Sequence, residues 1–178
     1  MIFEPTPLAG ALIITLPAPK DSRGLFVKTF HETTLKEAGI HFTLRESYFS
    51  ISKKDVIRGM HFQTPPHQHS KIVFCPQGSI IDVIVDLRKD SRTYKQYFAH
   101  ELSAENHKAL YIPEGFAHGF KAVSDDAMTY YLVTSEHNKA HDAGIRYDSI
   151  GLDWGITDPI VSDRDKSFVT LGEYDSPF

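Results

Sequence analysis

The chain carries a single cysteine, Cys75, and a single tryptophan among 178 residues. One thiol excludes an internal disulfide framework and an all-thiolate zinc site, and it fits a reducing compartment, so a cytoplasmic location is expected. Surplus positive charge is missing too: 19 Lys and Arg face 23 Asp and Glu, for a formal charge of −4. Without a basic stripe to track a phosphate backbone, nucleic acid is not an expected partner. Long hydrophobic runs are absent. The stretch from Leu8 to Leu16 falls far short of the roughly 20 apolar residues of a membrane span, and Glu4, Pro5 and Pro7 precede it where a secretory signal needs basic residues. A membrane is therefore not an expected partner either. No repeat, low-complexity tract or Ser/Gly-rich linker marks a boundary, and residues 1–178 are expected to fold as one domain.

What is present is apolar residues in alternation, and histidine. Hydrophobic residues make up 41% of the chain, enough for a sizeable core. In SIIDVIVDLR, Ile81, Val83, Val85 and Leu87 alternate with Ile80, Asp82, Ile84 and Asp86, the period of a β-strand with both faces rather apolar. Further strands are predicted at Ala11 to Leu16, Lys71 to Cys75, Tyr97 to Leu102, Ala109 to Ile112, Phe116 to Val123 and Met128 to Thr134, each bounded by turn-forming residues. Short strands so spaced point to an antiparallel sandwich or barrel. Helix is scarce. Thr34 to Ala38 is predicted as one short helix, with Thr34 and Glu37 at capping-box spacing and Gly39 as its stop, and Ser162 to Phe168 as another.

Ten histidines are unusual for this length, and imidazole is both a common metal ligand and a common general base. His61, His67 and His69 lie close together, and His118 falls in YIPEGFAHGF. There the spacing Pro113-x-Gly115-x-x-His118 resembles the second motif of the cupin superfamily. That likeness implies an all-β, cupin-like double-stranded β-helix (jelly roll) with a few short helices. Many cupins hold a metal with a His-x-His pair, a Glu and this later His, so a metal-dependent isomerase or oxygenase using His67, His69 and His118 is an alternative. The pair is present, but Lys71, Ile72, Val73 and Phe74 occupy the stretch of the Glu, and an ammonium would repel a divalent cation. The favoured reading is that no metal is bound.

Taken together, VIRGMHFQTPPHQHSKIV, DVIVDLRKDSRTY and IPEGFAHGF, with DSRGLF before them and SDRDK after, resemble the dTDP-4-dehydrorhamnose 3,5-epimerase family of nucleotide-sugar epimerases. The likeness covers nearly the whole chain. It implies a cofactor-free and metal-free homodimer that inverts sugar carbons beside a 4-keto group in a nucleotide-diphosphate sugar bound for surface polysaccharide. The best-known members act at carbons 3 and 5, and relatives act at carbon 3 alone or on heptoses. A sugar-binding module that has kept the fold without catalysis is a further alternative.

The chemistry explains the residue types. Carbon 3 is acidic only because the adjacent carbonyl can take the charge as an enolate. A base must remove the proton, a donor must steady the oxyanion, and an acid must return a proton from the other face. By resemblance His61 is the base, Asp165 the carboxylate that orients it, Lys71 the cation at the 4-keto oxygen and Tyr131 the acid. Tyr130 and Tyr131 face opposite sides of a strand, so only one of them can enter the pocket. The resemblance gives Arg23 and Arg58 to the nucleotide diphosphate, for which forked guanidiniums are suited. Phe26, Ser50, Gln63, His69, His118 and Lys166 are the remaining substrate-binding candidates. The chain departs from the family's usual residues at Lys28, Tyr48, Ile51, Asp55, His69 and His137, most of them on the pocket wall. Epimerisation is therefore a firmer expectation than the identity of the nucleotide or sugar.

Overall fold

The alternation in SIIDVIVD is realised as an eight-residue strand whose two faces serve two different cores. A computed structural model describes residues 1–178. In chain order the first elements are β1 (Ile2–Pro5), β2 (Leu12–Thr15), β3 (Lys20–Asp21), β4 (Gly24–Leu25), α1 (Glu32–Glu37), β5 (Glu46–Ser52), β6 (Ile57–Gln63) and β7 (Lys71–Gln77). After these come β8 (Ser79–Asp86), β9 (Tyr97–Ser103), β10 (Lys108–Ile112), β11 (Phe116–Ala122), β12 (Ala127–Val133), β13 (Asp142–Gly144) and α2 (Asp163–Lys166). One sheet has the order β1-β2-β10-β7-β12-β5, a second β13-β6-β11-β8-β9, and β3 pairs with β4 alone.

The two larger sheets pack face to face. Val73 and Leu110 from the first meet Ile80, Ile84 and Phe120 from the second. The outer face of β8 sends Val83 and Val85 into another cluster, which the C-terminal segment covers with Trp154 and Leu171. A third cluster lies outside the first sheet, under Leu35, Ile40 and Phe42. Each fully buried side chain of this kind contributes roughly 1.5–3 kcal/mol relative to leaving it in water. No helix is long and apolar enough to cross a membrane.

The expected closed, all-β double-stranded β-helix is not what forms. The strands make three open sheets: β1 and β5 end the first and β13 and β9 the second, without hydrogen-bonding round into a barrel. Helical segments at α1, α2 and Tyr147–Ser149 complete a mixed α/β arrangement. Alternation marks a strand and its faces, whereas closure depends on which distant edges pair, and nothing local encodes that. The helix boundaries shift as well. His31 caps α1, its Nδ1 accepting from the Thr34 amide, so Thr34 lies inside the helix and no capping box forms with Glu37. The predicted helix from Ser162 shortens to α2, with Ser162 as its cap.

One irregularity positions the site. The pairing of β6 with β11 slips between His118 and Phe120, where Gly59 (φ +127°) and Gly119 bring the two backbones together. A Cβ on Gly59 would lie 2.5 Å from Gly119 Cα, and one on Gly119 would lie 2.7 Å from the Arg58 carbonyl oxygen. Neither position has room for a side chain.

Candidate active site

Above that slip, a cavity of about 390 Å³ opens between the two larger sheets. β5, β7 and β12 line one wall, carrying Ser50, Lys71 and Tyr131, while β6 and β11 line the other, carrying Arg58, His61, Gln63 and His118. His61 and Tyr131 therefore stand on opposing sheets. His69 enters from the turn before β7.

His61 is held from behind. Its Nε2 lies 2.8 Å from Asp165 Oδ1, and the other carboxylate oxygen accepts the Gly59 amide at 3.0 Å. With Nε2 committed, Nδ1 is the nitrogen left for chemistry. Ser162 caps α2 by accepting from the Asp165 amide, which fixes the carboxylate's backbone. Burial alone would raise the pKa of Asp165, but the hydrogen bonds from His61, Gly59 and Ser162 outweigh it and hold the group ionised. Phe168 abuts the His61 ring edge-on, its centroid 5.9 Å away. Gly144, opposite His61 in the β6–β13 register, leaves the space Phe168 occupies, since a Cβ there would fall 2.3 Å from the Phe168 ring.

Lys71 is buried, and its Nζ reaches the His61 carbonyl oxygen at 3.4 Å across the gap between the sheets. Burial pulls its pKa down from 10.5 to about 8 against the opposing pull of Asp82 and Asp142. Burial likewise pushes Tyr131 well above the usual phenol value, so it carries its proton and can donate it. His118 Nε2 sits 2.7 Å from Asp82 Oδ1, both deep in the core, and burial outweighs Asp82 to lower the imidazole's pKa. His69 is pushed down to about 3 by burial and then by Lys71, His118 and His137, and its Nδ1 lies 3.0 Å from Ser135 Oγ. Arg58 is anchored through Nε to Ser52 Oγ at 3.0 Å.

Not every candidate gathers here. Arg23 and Phe26 belong to the β3–β4 hairpin and line a separate surface pocket, with the Arg23 side chain 89% exposed and paired to Asp21. Lys166 points outward from α2 and does not line the cavity. His67 stacks near His141 at 4.6 Å, away from His69 and His118, and no group of three or more His, Cys, Asp or Glu side chains is arranged to hold a metal ion. The cavity also includes Glu46, Tyr48, Ser135, Asp142 and Arg164, of which the sequence singles out only Tyr48, as a departure from the family's usual residues on the pocket wall. Period-two alternation from Ser50 back to Tyr48 and Glu46 was a signal for the first two. Arg164 lies inside SDRDK, where its guanidinium pairs with Asp142 at 2.7 Å.

Such an arrangement can hold a proton on an imidazole, stabilise an anion beside it and supply a second proton from the facing wall. Asp165→Asn keeps the shape while removing the charge that favours the imidazolium. A hydrogen bond to a charged group contributes roughly 1.5–3 kcal/mol, so kcat/KM for epimerisation is expected to fall roughly 10- to 100-fold. Steady-state kinetics of the variant check this, and an unchanged kcat/KM would show that the carboxylate plays no part.

The sequence pattern of the dTDP-4-dehydrorhamnose 3,5-epimerase family matches residues 5–173. The dTDP-4-dehydrorhamnose 3,5-epimerase of Methanothermobacter thermautotrophicus is 40% identical over 96% of this chain and 95% of its own. The dTDP-4-dehydrorhamnose 3-epimerase of Streptomyces niveus is 34% identical over 97% of this chain and 85% of its own. Among solved structures, the dTDP-4-dehydrorhamnose 3,5-epimerase of Bacillus anthracis, with TDP and PPi bound, superposes with a TM-score of 0.92 at 34% identity, over 95% of this chain and 98% of its own. On sequence and on fold alike, this chain belongs to the dTDP-4-dehydrorhamnose 3,5-epimerase family.

Proposed function

We propose that the cavity epimerises a nucleotide-linked 4-keto-6-deoxy sugar for polysaccharide biosynthesis, with its own side chains as the only reagents. The observation that carries the assignment of roles is the His61–Asp165 pair on one wall facing Tyr131 on the other, with Lys71 reaching from the Tyr131 wall to the His61 backbone. His61 Nδ1 takes the proton from carbon 3, and the C–H electron pair moves onto the 4-keto oxygen. The Lys71 ammonium steadies that enolate oxygen in a water-poor site, where a fixed charge counts for more than in bulk water. Tyr131 then gives its hydroxyl proton to the opposite face of carbon 3 as the carbonyl re-forms, after which the phenolate regains a proton from water and the His61 imidazolium releases one to it.

Arg58 is assigned to the diphosphate, with Ser50, Gln63, His69 and His118 shaping the sugar pocket. Arg23, Phe26 and Lys166 complete the nucleotide site in a homodimer, where the exposed hairpin of one protomer reaches the cavity mouth of the other. Two features support this assembly: the free outer edge of β1, and the exposure of Leu25 and Phe26 at 48% and 61%. A lone, buried thiol is in keeping with a cytoplasmic location.

The test is incubation with dTDP-4-keto-6-deoxyglucose in deuterated water, followed by NMR of the sugar. Exchange at carbon 3 alone would make the protein a 3-epimerase, and exchange at carbons 3 and 5 a 3,5-epimerase. Titration of TDP, GDP and CDP in parallel ranks the nucleotides. Absence of exchange with this sugar, or with a guanosine- or cytidine-linked 4-keto sugar, would refute the proposal.

A further inference from the structure

Antiparallel pairing of β5 with β12 sets Tyr48 directly opposite Tyr131. Their rings stack with centroids 4.7 Å apart and planes 22° from parallel. The edge contact to Tyr131 comes from His118, at 5.8 Å and 73°, and His118 is itself locked by Asp82 in the core. The Tyr131 ring is thus bounded by an aromatic face on one side and a fixed imidazole on another. Tyr48 is the less constrained member of the stack. It is 40% exposed, lies at the cavity border and makes no side-chain hydrogen bond that would hold it elsewhere.

We infer that Tyr48 is a positioning residue for the epimerisation, holding the Tyr131 phenol against the face of the enolate opposite His61. This rests on the proposed role of Tyr131. Once His61 has taken the carbon 3 proton, the enolate has two fates. His61 can return a proton to the original face, which regenerates the starting sugar, or Tyr131 can deliver one to the other face, which yields the epimer. In each case one new C–H bond forms and one N–H or O–H bond breaks: return by His61, after its proton has exchanged with solvent, leaves the neutral base it began as, whereas delivery by Tyr131 leaves a phenolate that regains a proton from water and an imidazolium that gives its proton up. The balance between the two fates depends on how well the phenol oxygen is aimed at carbon 3. An aromatic stack limits rotation of the ring, because offset-parallel packing has a preferred plane.

In deuterated water the two fates separate. Deuterium washed into unepimerised sugar reports return by His61, and deuterium in the epimer reports delivery by Tyr131. With dTDP-4-keto-6-deoxyglucose as the probe, Tyr48→Leu is expected to lower the ratio of epimer to exchanged starting sugar about tenfold, the scale of a misaimed reacting group. Tyr48→Phe keeps the stack and is expected to stay within about twofold of the unsubstituted protein. Tyr131→Phe is expected to exchange without forming epimer. A Tyr48→Leu ratio equal to that of the parent, beside a Tyr131→Phe variant that forms none, would overturn the inference alone. So would a Tyr48→Phe ratio as low as that of Tyr48→Leu, which would assign the effect to the hydroxyl, or loss of all exchange in Tyr48→Leu, which would place the residue before proton removal. Undiminished epimer formation by Tyr131→Phe, or no exchange by the parent protein, would overturn the role of Tyr131 and this inference with it.

Discussion

Replacing His61 with Asn is expected to lower kcat for epimerisation about 100- to 10,000-fold, the usual contribution of a positioned general base. Nucleotide-sugar affinity should change only a few-fold, because the ring is 32% exposed and lies on the cavity wall with its far nitrogen tied to Asp165. Asn is too short to reach Asp165 Oδ1 as Nε2 does, but the carboxylate keeps the Gly59 amide on its other oxygen, so it is not left wholly unpaired and the variant should fold. Calorimetric titration of TDP beside steady-state kinetics separates the two effects. Turnover within tenfold of the parent would remove His61 from the reaction.

Lys71→Met is expected to cost about 100- to 1,000-fold in kcat, as when a single oxyanion donor is removed, and at the same time to make the protein more stable near neutral pH. The two effects share one cause. In the unfolded chain the lysine keeps its proton up to about pH 10.5, and in the fold only up to about 8, because burial penalises the ammonium. Between those values the unfolded chain binds the extra proton, so stability rises with pH across that window. Below about pH 8 the fold carries the full penalty, at most about 3 kcal/mol. Methionine has nearly the same reach without the charge. Its thermal midpoint at pH 7 should rise by several degrees, and the gain in stability between pH 8 and 10 expected of the parent should vanish. In the parent, kcat/KM should fall above about pH 8 as the ammonium is lost. An active Lys71→Met variant with unchanged stability would contradict both the buried charge and its use.

Much of the site is legible in the sequence because its residues sit in short motifs on strands. His61 and Gln63 alternate on β6, and the Tyr130–Tyr131 pair obeys strand alternation: Tyr131 enters the cavity, while Tyr130 stacks on Phe49 and Phe74 outside it. Other features depend on contacts between distant segments. The expected jelly roll gives way to open sheets because a period of two identifies strands without saying which edges meet. The slip at Gly59 and Gly119 is a meeting of two strands far apart in the chain, visible only when their backbones are placed together. Tyr48 stands out in the sequence only as an unusual residue, and its stack on Tyr131 follows from the β5–β12 register. Arg23 and Phe26 show the reverse case, being conspicuous in DSRGLF yet placed on an exposed hairpin away from the cavity of their own chain.

The central claim is that proton exchange at carbon 3 passes through His61. The direct measurement is the initial rate of deuterium uptake at that carbon from deuterated water, with dTDP-4-keto-6-deoxyglucose and equal amounts of the parent protein and His61→Asn. Uptake by the parent, with at least a 100-fold slower rate in the variant, is the result expected of a general base. Equal rates in the two proteins, or no uptake by the parent, would contradict it.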